Sequence, residues 1–300
     1  MPKLTHSRAV FLMVVVALMW SIAGVVTRHL EHARSFEVTF WRSLFTLLSL
    51  LLILPALQGR AVFATLRQSG RALWISGLCW SVMFTAFMVA ILLMPVANVL
   101  VTMAVGPLLT ALFARVLIGH RIAPRTWVAI VLAGVGIARM YGSQMAGLPL
   151  AGTLVALCVP VAAAINWTVV QHAQRHGQAV DLVPAVLVGA AISVLAMLPL
   201  ALPLRASLHD LGLLALLGVV QLAIPCVLAV RCGRVLKAPE MALLGLLEVI
   251  FGILLAWLGA GEEPGMAVLT GGALVIGALV LNEILGWREQ RWQSRSLQRS

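Results

Sequence analysis

The sequence predicts an all-α membrane protein: ten transmembrane helices in two inverted five-helix repeats. Three observations carry this expectation, namely apolar composition, ten recurring apolar runs, and a one-sided distribution of positive charge. Of 300 residues, 62% are hydrophobic and 10% charged, and the mean hydropathy is +1.04. A soluble chain of this length needs far more charge to cover its surface.

The net charge of +11 and a pI near 11.3 would suggest a nucleic-acid partner in a soluble chain. Here the Lys and Arg residues are scattered among short connections, with no basic helix face and no interleaved aromatic motif. No nucleic-acid partner is therefore expected. The lipid bilayer is the expected surroundings, and the oligomeric state stays open. Cys79, Cys158, Cys226 and Cys232 sit in or beside apolar runs without metal-ligand spacing. They read as small packing residues, so neither metal nor cofactor is expected.

The apolar runs lie near 9–27, 36–56, 72–93, 97–117, 126–142, 150–171, 182–202, 210–231, 240–259 and 265–286. Runs of this length cross a hydrocarbon core of about 30 Å as helices. Lys3 and Arg8 ahead of the first run resemble the start of a signal peptide. That run is long enough to span, ends in no small-residue cleavage site and contains Trp20, so it reads as a retained first helix. The breaks carry turn residues or charge, as in 28–34, 58–71, 119–125, 142–149 and 259–264.

Ten spans place both termini on one side. Cytoplasmic connections should hold the excess of Lys and Arg. With the N-terminus inside, fifteen basic residues fall on the inner side and four (Arg28, Arg34, Arg139 and Arg205) on the outer side. Arg42 and Arg115 fall within spans. Adding or removing one helix would scramble this bias.

The segment from Gly106 to His120 aligns with Glu248 to Glu262, pairing Leu112 with Leu254, Ala114 with Ala256 and Gly119 with Gly261. Each segment is the fourth span of its half and precedes a Gly-rich fifth span. An odd number of spans per half gives the halves opposite insertion, as in many secondary transporters. The halves are read as 1–145 and 146–300.

These segments, with Met19-Trp20-Ser21 in helix one and Trp41-Arg42 in helix two, resemble the EamA-type ten-helix members of the drug/metabolite transporter superfamily. Two positions depart from the pattern: His120 stands where the family usually has Glu, and Val249 where it usually has Pro. Within the family, the chain looks most like bacterial amino-acid exporters, including aromatic ones. The resemblance implies a non-enzymatic exporter of small metabolites in a bacterial inner membrane, working by alternating access through a central chamber.

Several residues are candidates to line that chamber. Trp20, Trp80 and Trp167 lie inside spans, whereas most other Trp residues fall near span ends where aromatic belts form. Trp80, Phe84 and Phe87 make one stripe on helix three. Such rings can stack on a planar substrate or attract an amino group. Ser21, Thr102 and Met103 join the candidate wall, although a Ser or Thr hydroxyl commonly bonds its own helix. Asn166 and Gln221 are stronger candidates, because an amide in hydrocarbon needs a partner.

Glu248 reads as the only acid well inside a span, since Glu283 lies near a span end. It could hold a substrate ammonium group or a proton, or simply fix helix packing. Helical depth sets its backbone about 10 Å from that of Arg42, so Arg42 is expected to snorkel outward instead of pairing with it. Gly106, Pro107, Pro160 and Pro225 lie mid-span and are the natural hinges.

The seven His residues lie in tails, loops or span ends, with no metalloprotease or Ser–His arrangement, which argues against an intramembrane enzyme. No ring of like charges or filter motif suggests a channel. Lipophilic cationic drugs remain an alternative cargo, because Glu248 and Trp rings would suit them.

Overall fold

The computed structural model describes residues 4–33, 35–59, 62, 70–118, 123–142, 150–175, 182–232, 235–236, 244–245 and 247–297. Among the described residues, regular structure is entirely helical. The helices are α1 (His6–Thr27), α2 (Ser35–Gln58), α3 (Arg71–Leu93), α4 (Val96–Met103), α5 (Gly106–Ile118), α6 (Pro124–Gly142) and α7 (Leu150–Arg175). They continue as α8 (Leu182–Ala201), α9 (Leu208–Leu216), a π-helical segment (Leu217–Ala223), α10 (Ile224–Cys232), α11 (Leu247–Ala260) and α12 (Met266–Leu297). Among the described residues, six helices are long and apolar enough to cross a membrane, and four shorter apolar helices complete the ten rods.

Two rods are not simple helices. The fourth breaks at Ala104 and Val105 into α4 and α5. Pro107 has no N–H to offer the Met103 carbonyl, so the α-helical ladder cannot run through this point. In the first turn of α5 that missing donor is no loss. The eighth rod runs through α9, the π segment and α10. Pro225 cannot donate to the Gln221 carbonyl one turn back. The Ile224 N–H just before it reaches Val219 O, five residues away. Both devices were legible as mid-span prolines, but the widened π register was not anticipated.

Other boundaries shift as well. α12 continues to Leu297, well past the expected end of the tenth span near 286. The expected start of the ninth span, near 240, lies outside the described residues, as does the expected boundary between the halves at 145–146. His120 and Gly119 of the first repeated segment lie outside them too.

The packing of the rods repeats itself. α3 lies against α7 and α8, while the eighth rod lies against α1 and α2. The fourth rod packs on α7, and correspondingly α11 packs on α1. The pairs α2 with α8 and α6 with α12 each join corresponding rods of the two halves. Each half therefore inserts between the helices of the other.

Close backbone approach makes this possible. A Cβ on Gly218, in the π segment, would lie 2.7 Å from Arg42 O and 2.5 Å from Phe45 Cβ. One on Gly189 of α8 would lie 2.5 Å from Trp80 Cβ. Without glycine at these positions, α2 and α3 could not seat against the second half.

Candidate functional site

Arg42 is the centre of the polar chemistry inside the bundle. It lies about two turns into α2 and is only 2% exposed. Its Nε and Nη2 donate to Gln221 Oε1 at 3.1 and 2.9 Å, and its Nη1 donates to Phe84 O at 3.4 Å. The guanidinium carbon lies 5.9 Å from the Phe84 ring centre and 5.8 Å from that of Phe87. The aromatic stripe on α3 thus forms a cation–π floor. This corrects the expectation that Arg42 snorkels outward.

The physical reason is the face on which Arg42 sits. Thr39, Arg42, Ser43 and Thr46 recur at helical spacing on α2 and are all buried. A polar stripe on an otherwise apolar span turns toward the protein interior, where its groups find partners. Thr46 Oγ1 donates to Arg42 O and Gly218 O at 2.8 and 3.0 Å. Ser43 meets Ser193 at 2.9 Å, and Thr85 lies 3.2 Å from the same Ser193 hydroxyl. This stripe is the signal that sequence reasoning overlooked.

Around Arg42 the structure gathers six of the expected residues. Gln221 Nε2 donates to Trp20 O at 3.2 Å, linking α1 to the π segment. The Trp20 side chain is half-buried and hydrogen-bonds Cys226. Trp80 and Phe84 have ring centres 5.5 Å apart. Glu248, in the first turn of α11, is half-buried and within electrostatic reach of Arg42. Trp20, Trp80, Phe84, Phe87, Gln221 and Glu248 thus converge on one arginine from helices of both halves.

The remaining candidates lie apart from this cluster. Asn166 is fully buried and accepts from Ser76 at 2.6 Å, one helical turn before Trp80 on α3. Its Nδ2 and the Trp80 Nε1 are buried donors without a partner among the described residues. Ser21 donates to Leu18 O at 2.7 Å and Thr102 to Asn98 O at 2.7 Å, each bonding its own helix. Met103 ends α4, half-buried. The Trp167 side chain lies outside what is described. Among the hinge candidates, Gly106 faces Pro160, since a Cβ there would lie 3.8 Å from Pro160 Cβ. Pro225 follows the π segment. Pro107 lies at the α4–α5 break, with its side chain outside the described set.

Sequence reasoning also missed two fully buried acids. Glu37 Oε1 accepts from Arg205 N, Ala206 N and Trp41 Nε1 at 2.8, 2.7 and 3.3 Å. Asp210 accepts from Glu31 N, His32 N and Ala33 N at 2.8, 3.0 and 3.1 Å, and from Ser207 N at 3.2 Å. Both lie in the first turn of their helices, at the ends of their spans. At this same end of the bundle, Glu262 pairs with Arg28 at 2.6 Å and accepts from Val96 N at 2.9 Å. A cavity of about 130 Å³ lies beside Glu262, among Asn98, Ala256 and Val268. It contains none of the expected binding residues.

The EamA-like transporter family model matches this chain twice, over residues 7–142 and 150–283. No curated protein matches it. A solved structure described only as the crystal structure of a protein aligns with a TM-score of 0.65 at 19% identity, covering 94% of this chain and 98% of that one. That likeness establishes a shared fold.

Proposed function

The chain belongs to the EamA-like transporter family, whose members are membrane transporters of small molecules, and from that premise we propose that it is a secondary transporter exporting small metabolites, foremost amino acids including aromatic ones. The observation that carries this reading is the convergence of Trp20, Trp80, Phe84 and Phe87 on the polar groups of Arg42, Gln221 and Glu248. Rings at this depth offer stacking surface and attraction for an ammonium group. The polar groups offer both charge signs. Asn166 and Trp167 would extend this wall, with Ser21, Thr102 and Met103 beside it.

Alternating access needs the two halves to rock about joints. The break ahead of Gly106 and Pro107, Pro160 opposite it, and Pro225 after the π segment supply bending points in rods of both halves. The charge bias of fifteen basic residues against four favours both termini in the cytoplasm of a bacterial inner membrane. Cysteine labelling at position 60 from inside only, and at 146 from outside only, is the expected pattern. The reverse pattern would overturn this orientation.

Export of lipophilic cations is the second reading, favoured by Glu248 beside aromatic rings. Arg42 opposes it, because a buried guanidinium repels a second cation in the same chamber. Uptake of a panel of labelled amino acids into proteoliposomes, with and without a pH gradient, decides between them. Saturable counterflow of phenylalanine is the expected result. Flux of quaternary ammonium compounds alone would reverse the assignment.

A further inference from the structure

An arginine in mid-bundle needs a reason, because apolar residues of similar volume would pack there at lower cost. Arg42 has five N–H donors, yet its hydrogen-bond partners among the described residues are two neutral oxygens, Gln221 Oε1 and Phe84 O. Among the described residues, no carboxylate comes within salt-bridge distance of it. Its fork closes on Gln221 Oε1 through both Nε and Nη2. That is the geometry a guanidinium offers a carboxylate, here met by a neutral amide oxygen.

Gln221 is itself suspended between Arg42 and Trp20 O, on the π segment that precedes Pro225. Such a segment can shift its side chain by repacking one turn. Glu248 completes the set. It stands within electrostatic reach of Arg42 without bonding to it, and keeps an open face. The cluster thus holds a cationic fork on a neutral partner, the Phe84 and Phe87 rings beside that fork, and an acid without a hydrogen-bond partner among the described residues.

Resting on the transport reading of this same site, we infer that Arg42 is the anchor for a substrate carboxylate, which displaces Gln221 Oε1 from the guanidinium fork while Glu248 takes the substrate ammonium group. The site therefore selects zwitterions over plain amines and over plain carboxylates. Phe84 and Phe87 hold the guanidinium flat against α3, so the fork stays aimed while its partner is exchanged.

The test is equilibrium binding to the purified full-length protein of L-phenylalanine, phenethylamine, 3-phenylpropionate and the lipophilic cation tetraphenylphosphonium. The parent should bind L-phenylalanine at least about tenfold more tightly than either phenethylamine or 3-phenylpropionate. Arg42→Gln should lower the affinity for L-phenylalanine by about tenfold or more and leave phenethylamine within about twofold, so that the preference collapses. Gln221→Glu places a permanent carboxylate on the fork and should weaken L-phenylalanine binding similarly while retaining Arg42. An unchanged ratio of phenylalanine to phenethylamine affinity in Arg42→Gln, or parental phenylalanine binding in Gln221→Glu, overturns the anchor and leaves the amino-acid reading standing. A parent that binds only tetraphenylphosphonium, or none of the four, overturns both.

Discussion

The two polar regions of this bundle treat their charges in opposite ways. At the end that carries residues 28–33 and 202–207, Asp210 accepts backbone N–H groups on both oxygens, Glu37 accepts two on Oε1 while its buried Oε2 has no partner among the described residues, and Glu262 has both Arg28 and Val96 N. In mid-bundle, Arg42 rests on neutral oxygens and Glu248 has no hydrogen-bond or ion-pair partner among the described residues. The first arrangement ties connections to helix ends through backbone N–H groups. The second leaves charge available to a visitor. Burial alone does not separate the two regions, since Glu37, Asp210 and Arg42 are all within 2% of complete burial. What separates them is who satisfies the charge.

Substitutions can break or sharpen this contrast. The largest loss of stability is expected for Gln221→Leu, which strips the guanidinium of its two best bonds and leaves it buried on Phe84 O alone. The cost should be about 3 kcal/mol, read as a fall in thermal stability in detergent. A neutral outcome would mean that Arg42 finds another partner and that Gln221 does not hold it.

Asp210→Ala should follow at about 2 kcal/mol, because it frees the N–H groups of residues 31–33 and removes half of the capping box with Ser207. Transport per folded molecule should stay near parental, since the residue lies outside the Arg42 cluster. A selective loss of transport there would erase the distinction between the regions. Glu262→Gln should cost about 1 kcal/mol or less: its pair with Arg28 is a quarter exposed on both sides, and an amide oxygen can still accept from Val96 N. Glu37→Gln should be the mildest, within about 1 kcal/mol, because its three bonds converge on one oxygen that glutamine keeps.

The ten rods were legible because a membrane span is a local property: about twenty apolar residues must occur in a row. The helix breaks were legible at Pro107 and Pro225 for the same reason, since a missing N–H acts one turn away. The aromatic stripe of Trp80, Phe84 and Phe87 was likewise visible in the spacing along one helix. Glu37 and Asp210 were opaque because, apart from Trp41 and Ser207, their partners lie 168 to 179 residues away in the chain. Arg42 was misread differently. Counting helical depth places a backbone, but an arginine reaches several ångströms from it, and only the face of α2 says which way. The run Thr39, Arg42, Ser43, Thr46 held that information. Asn166 was found as a buried amide, yet its bond to Ser76 depends on how α7 crosses α3.

The central claim is that the mid-bundle charges serve a substrate while the buried acids at the bundle end serve the fold. Glu248 tests it most directly, because Glu248→Gln keeps shape and hydrogen bonding and removes only the charge and the proton site. A carboxylate in this setting is costly unless water, a donor or a cation reaches it. Phenylalanine counterflow in proteoliposomes, normalised to folded protein and measured across pH, should fall at least about tenfold in Glu248→Gln or lose its pH dependence. Transport by Glu248→Gln at the parental rate with the parental pH profile would make Glu248 a packing residue and contradict the account.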